Sequence, residues 1–132
     1  MIPAIFINDS KLPFTDLILS GDKMYETRTR NMLGRFLGDD VLIVRTGKGD
    51  PLVVGSARID CIIKVWIRSA WETYRPDTCV PLGSEFDWKP ATKYKYLYRL
   101  TDVRSFDHPF TLPQDARRHG RTWAEYDGEI PC

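Results

Sequence analysis

Ten consecutive residues hold the densest collection of chemically capable groups in this chain: Gly21-Asp22-Lys23-Met24-Tyr25-Glu26-Thr27-Arg28-Thr29-Arg30. Successive side chains alternate along an extended segment, so Glu26, Arg28 and Arg30 share one face, while Tyr25, Thr27 and Thr29 take the other. Lys23 enters from the preceding turn. A strand with one acid among three cations is ordinarily plain solvated surface, but concentration sets this one apart. A carboxylate flanked by guanidinium groups is oriented, kept ionised and able to accept hydrogen bonds. Arg28 and Arg30 also suit bidentate capture of phosphate or carboxylate. If the site is catalytic, Lys23, its pKa lowered by Arg28, activates water or serves as nucleophile, and Glu26 shuttles the proton.

The elements that must position these groups are short. Ala4 to Ile7 reads as a first strand, ended by the turn Asn8-Asp9-Ser10. Pro13 suits the first turn of a helix, where its missing N–H is harmless. Phe14, Leu17 and Ile18 follow at helical spacing, and Gly21 falls where a C-terminal cap belongs. The spacing predicts a helix from Pro13 to Ser20 and a strand from Met24 to Arg30. Val41 to Val44 is a continuous apolar run that reads as a strand buried on both faces. Gly47-Lys48-Gly49-Asp50-Pro51 turns the chain into a long strand from Leu52 to about Trp66. There Ala57, Ile59, Cys61, Ile63 and Val65 are predicted to face one core, with Ser56, Arg58, Asp60 and Lys64 opposite. Ser69-Ala70-Trp71-Glu72 matches a capping box opening a helix to Tyr74 or Arg75. Residues 76–91 read as a long surface loop, Lys93 to Leu100 as a strand, and Val103 to Phe106 as a further short one. The segment after Pro109 reads as a tail pinned by Trp123 and Tyr126. Short helices among dominant strands indicate a small closed or half-closed barrel with helices on its rim.

With those elements in place, PFTDLILSGDKMYETRTR resembles the signature of the ASCH family, whose pattern Gly-x-Lys-x-x-Glu-x-Arg is matched by Gly21, Lys23, Glu26 and Arg28. VLIVRTGKGDPLVVGSARI is similar to that family's next two strands, and YLYRLTDVRSFDHPF to its closing strand. The resemblance covers roughly residues 1 to 113 and implies one domain over residues 1–132, with 113–132 as a packed tail. It implies a mixed α/β, mainly β fold: a PUA-like β-barrel of five to six strands with short flanking helices. It also implies a cleft beside the first helix, lined by Lys23, Glu26 and Arg28. Family members are mostly RNA-binding modules, and some hydrolyse acylated cytidine nucleosides or cleave RNA. In the amidohydrolase branch a Thr stands where this chain has Glu26.

Other candidates lie outside the motif. Glu72 and Glu85 are the possible second carboxylates for acid–base work, although Glu72 also serves as the capping-box acid. Gly47-Lys48-Gly49 has no helix after it to supply a phosphate-binding dipole, so it reads as a hairpin turn with Thr46 and Lys48 bordering the cleft. Trp88 to Arg104 carries five basic residues and one acid interleaved with four aromatics. Basic charge with stacking faces suits single-stranded RNA, which brings Lys93 and Tyr94 into the ligand-binding set. Tyrosines at period two are also a common core face. His108 and His119 have no carboxylate or cysteine partner in a triad-like context and receive no role.

The 132 residues suffice for one core, and a net charge of +1 neither demands nor excludes nucleic acid. Cys61, Cys79 and Cys132 are far apart and odd in number, which argues for neither a disulfide framework nor a zinc site. The N-terminus lacks the pattern of a signal peptide, and no apolar run reaches membrane-spanning length. The expectation is a soluble, cytoplasmic protein, without metal, cofactor or membrane contact and with no identifiable partner protein. Its partner is RNA or a nucleoside- or nucleotide-like small molecule, bound or hydrolysed in the cleft; a protein-interaction module is the third reading.

Overall fold

The computed structural model describes residues 1–130, so Cys132 lies outside the described residues. The strands are β1 (Ile2–Asn8), β2 (Tyr25–Arg28), β3 (Asp40–Thr46), β4 (Leu52–Val65), β5 (Lys95–Thr111), β6 (Arg118–His119) and β7 (Trp123–Tyr126); the helices are α1 (Phe14–Ser20) and α2 (Arg68–Thr78). All seven strands join one curled sheet in the order β2-β5-β4-β3-β1-β7-β6, a half-barrel consistent with a PUA-like fold. β1 and β3 run parallel, and every other pairing is antiparallel. The sheet exceeds the expected five to six strands because the tail adds β6 and β7. Trp123 and Tyr126 are buried, as their role as anchors required.

Apolar alternation explains the layering. Ile5, Ile7, Val41 and Ile43 point into the main core with Phe14 and Ile18 of α1, while Ala4, Phe6, Leu42 and Val44 pack on the opposite side under Ala124 and Tyr126. β1 and β3 are therefore buried on both faces, which is why their sequences read as unbroken apolar runs. Each such Ile or Val contributes about 1.5–3 kcal/mol of burial free energy. The left-handed Gly21 (φ 89°) ends α1 by donating to the Ile18 carbonyl, and β2 follows at once.

The long strand departs from the single alternation expected of it. Ala57 and Ile59 enter the main core, but Ile63 and Val65 pack on Trp71 of α2 in a separate cluster, and Ile62 now faces the main core. The pairing register shifts between Ile59 and Cys61, leaving Asp60 as an extra residue. A bulge of this kind inverts the faces beyond it. Lys64 is accordingly half-buried, whereas Arg58 and Asp60 are exposed.

α2 begins one residue before Ser69, makes no side-chain N-cap bond, and continues through Pro76 to Thr78. Glu72 is thus not a capping-box acid; it pairs with Arg68 and Arg75 along the helix surface. Val103–Phe106 is the continuation of β5 rather than a separate strand.

β4 is tightly enclosed at Gly55: a Cβ there would collide with the Arg104 carbonyl oxygen and come within 2.7 Å of Leu19 Cδ2. Gly55→Ala is expected to lower stability by about 1–3 kcal/mol through overpacking. Urea denaturation measures this, and an unchanged midpoint would refute the packing described for this strand.

Candidate functional site

β2 is an edge strand whose four residues pair with Arg99–Tyr96 of β5. That pairing aims Glu26 and Arg28 into the half-barrel, and the Gly21 turn delivers Lys23 beside them. Lys23 is 2% exposed. Its Nζ donates to the Thr78 carbonyl at the C-terminal end of α2 (2.7 Å), lies 3.6 Å from Glu26 Oε1, and sits 4.7 Å from the Phe14 ring centroid. The last carbonyls of a helix have no partner within it and carry partial negative charge, so a cation there is favoured. The neighbouring Asp77 carbonyl accepts from Met24 N–H at 2.7 Å.

Glu26, 7% exposed, bridges the two cations: its Oε2 accepts from Arg28 Nη2 at 3.1 Å. The same Nη2 donates to the Phe6 carbonyl at 2.7 Å, tying β2 to β1 across the half-barrel. Arg28 Nε is buried without a hydrogen-bond partner. Burial is the main influence on Lys23 and pushes its pKa below 10.5, while the Glu26 carboxylate opposes that shift. Arg28, the expected cause, adds only a small lowering influence.

These groups form the floor of a cleft of about 500 Å³ beside α1, with Phe6, Phe14, Val80 and Phe86 among its apolar walls and Thr46 and Gly47 at its edge. Phe14 and Phe86 meet edge to face at 5.4 Å. Arg118 and Arg121 stand at the cleft and were not foreseen from the sequence. They come from a tail hairpin in which the His119 ring stacks on Trp123 at 3.9 Å, and His119 Nε2 lies 2.8 Å from Glu125 Oε2. Those contacts join residues up to six apart in a segment with no hydrophobic period, so the only sequence signal was Gly120 between basic residues. Four cations therefore face one carboxylate among the lining residues.

Lys23, Glu26, Arg28 and Thr46 are brought together; four other expected residues are not. β2 ends at Arg28, and the chain turns so that Met32 N–H donates to the Arg30 carbonyl, leaving the Arg30 side chain exposed outside the cleft. Lys48 is exposed on the tip of the β3–β4 turn; Gly47 and Pro51, at the two ends of that turn, line the cleft, and Lys48 does not. Lys93 is exposed just before β5, and Tyr94 packs on Trp66 and Tyr96 away from the cleft lining. Glu72 lies on α2, and Glu85 pairs with Lys11 at 2.7 Å. Neither lines the cleft, although Phe86 beside Glu85 does.

Phe86 is held by a buried carboxylate. Asp87 accepts from Trp71 Nε1, Trp88 N–H and Gly83 N–H, each at 2.7 Å. Burial alone would raise its pKa, but those donors outweigh burial and lower it to about 2. Lys95 Nζ fixes the same loop by donating to the Phe86 carbonyl at 2.8 Å.

No family model matches the chain, and no curated protein matches its sequence. Solved structures do match its shape. The crystal structure of ASCH from Zymomonas mobilis superposes with a TM-score of 0.69 at 23% identity, covering 83% of this chain and 73% of that one. The fold is that of an ASCH protein. A serine-to-alanine variant of the Zymomonas protein gives 0.68 at 21% identity, covering 83% and 72%. At this identity the likeness is one of architecture, and it agrees with the half-barrel.

Asp87→Asn is expected to cost about 1.5–3 kcal/mol, the usual value of hydrogen bonds to a charged group. Because the folded pKa lies below the ordinary 3.8, this contribution is present above pH 3.8 and is lost as pH falls through about 2. Stability measured against pH should therefore show a smaller acid loss in the variant. Equal acid curves would contradict the role assigned to Asp87.

Proposed function

We propose that this protein binds a nucleotide or the end of an RNA strand in the cleft, acting in the cytoplasm. The observation that carries this reading is the pairing of aromatic walls with an excess of cations. Phe14 and Phe86 offer apolar surface to a base. Arg28 Nε is a donor without a partner, and Arg118 and Arg121 place two guanidinium groups where a phosphate can be met. No helix among the described residues is long and apolar enough to cross a membrane. Cys61 and Cys79 are free thiols, in keeping with a reducing compartment.

A second reading rests on the lowered pKa of Lys23. Perturbed lysines in clefts are candidate bases. In an N4-acylated cytidine, neutral Lys23 would take a proton from the attacking water. The water oxygen then bonds to the acyl carbon, the C–N bond breaks, and the proton returns to the leaving amino nitrogen through Glu26. Cleavage of RNA is the other reaction open to this lysine and carboxylate.

Affinity for a nucleoside monophosphate, measured by calorimetry, should fall as salt is raised. Arg121→Ala and Arg118→Ala should each weaken binding by about 1.5–3 kcal/mol, the value of a charge-assisted bond. Affinity indifferent to salt and to both arginines would remove the binding reading. For the second reading, hydrolysis of N4-acylated cytidine nucleosides and of short RNAs is compared between the wild type and Lys23→Met, Lys23→Arg and Glu26→Gln. A hydrolase loses most turnover with either Lys23 change while remaining folded by circular dichroism. Full activity in Lys23→Met, or no wild-type turnover on either substrate, would leave a binding protein.

A further inference from the structure

Beyond the cleft, the bulged end of β4 gathers three aromatic rings around one ammonium group. Lys64 Nζ lies 3.8 Å from the Trp66 ring centroid, 4.4 Å from Tyr94 and 5.3 Å from Tyr96. The rings contact one another edge to face, Trp66–Tyr94 at 5.8 Å and Tyr94–Tyr96 at 5.6 Å. Trp66 is nevertheless 62% exposed, so the face not taken by Lys64 is open to solvent. Neither Lys64 nor the exposed Lys93 beside Tyr94 forms an ion pair among the described residues. Single exposed aromatics are common on protein surfaces. An open indole with an unpaired lysine held against it is a different feature, because it offers a stacking face and a phosphate partner together.

The register ties this cluster to the cleft. Tyr96 is paired with Arg28 on one side and with Lys64 on the other, so the three side chains form one row on the same face of the sheet. Two strand spacings separate Arg28 from Lys64, about 10 Å, and Trp66 lies two residues further along, about 7 Å. A ligand reaching both places must be longer than one nucleotide.

We propose that Trp66, Tyr94 and Lys64 form a second subsite, which stacks a base of a single-stranded oligonucleotide while another nucleotide of the same strand occupies the cleft. This deepens the cleft-binding reading and rests on it for the second anchor point. Lys64 and Lys93 supply the charge complementarity that favours a polyanionic strand over a neutral or cationic occupant.

The test compares uridine monophosphate with a single-stranded oligouridine of about eight nucleotides, using Trp66→Ala, Trp66→Phe and wild type. The oligonucleotide should bind the wild type more tightly than the monophosphate does. Trp66→Ala should lose about 5- to 150-fold of oligonucleotide affinity, the range for one stacked base, with monophosphate affinity unchanged. Trp66→Phe should restore most of the loss. Oligonucleotide affinity unaffected by Trp66→Ala overturns the proposal, as does an equal loss for both ligands, which would report a folding defect. Tight, Trp66-dependent oligonucleotide binding without any monophosphate binding would sink the cleft reading and leave the subsite standing. A trimethyl-lysine peptide bound in a Trp66-dependent way, with no oligonucleotide effect, would give the aromatic cluster to a cation instead.

Discussion

An ammonium group removed from water costs several kcal/mol unless acceptors replace its hydration. Lys23, 2% exposed, meets that demand with three unlike partners: the Thr78 carbonyl, the Glu26 carboxylate and the face of Phe14. Each comes from a different element, so satisfying one charge fixes the relative placement of α2, β2 and α1. The demand is mutual. The open C-terminal end of α2 needs donors, and Glu26 needs cations. Removing Glu26 leaves Lys23 buried with only a neutral acceptor and a ring face, which is more costly than the net value of the lost contact itself.

The cleft follows from that arrangement. With α2 docked by its last turn against the start of β2, the loop after it must return to β5 across the open side of the half-barrel. Asp87 and Lys95 fasten it there, and Phe86 becomes a wall facing Phe14. On the opposite side Arg28 reaches the Phe6 carbonyl, and the tail hairpin brings Arg118 and Arg121 over the same opening. The result is a concave site with an apolar lining, a buried ion network below and exposed guanidinium groups above. Such a site suits a ligand with a flat face and a negative charge.

The local features were legible in the sequence because they are written in neighbouring residues. Helix α1, its glycine cap and strand β2 follow from spacing within one segment, and so does the clustering of Lys23, Glu26 and Arg28. What depends on distant partners was not legible. The bulge at Asp60 inverts the second half of β4 because of how β5 pairs with it, and no alternation in β4 alone reveals that. Arg30 was placed with Glu26 and Arg28 on the premise that the strand continued, but it ends where β5 stops offering partners. Arg118 and Arg121 reach the cleft only because β7 pairs with β1 across most of the chain length. Glu72 matched a capping pattern, yet two arginines on its own helix claim it.

The central claim is that burial, opposed by Glu26, governs the charge on Lys23 and makes it both a structural anchor and the floor of the cleft. The most direct measurement is the titration of the Lys23 side chain by NMR, followed at Cε in the wild type and in Glu26→Gln. Lys23 should titrate below its ordinary value of 10.5, and lower still once the Glu26 charge is removed. A Lys23 that titrates at or above 10.5, or whose titration is unmoved by Glu26→Gln, would contradict the account.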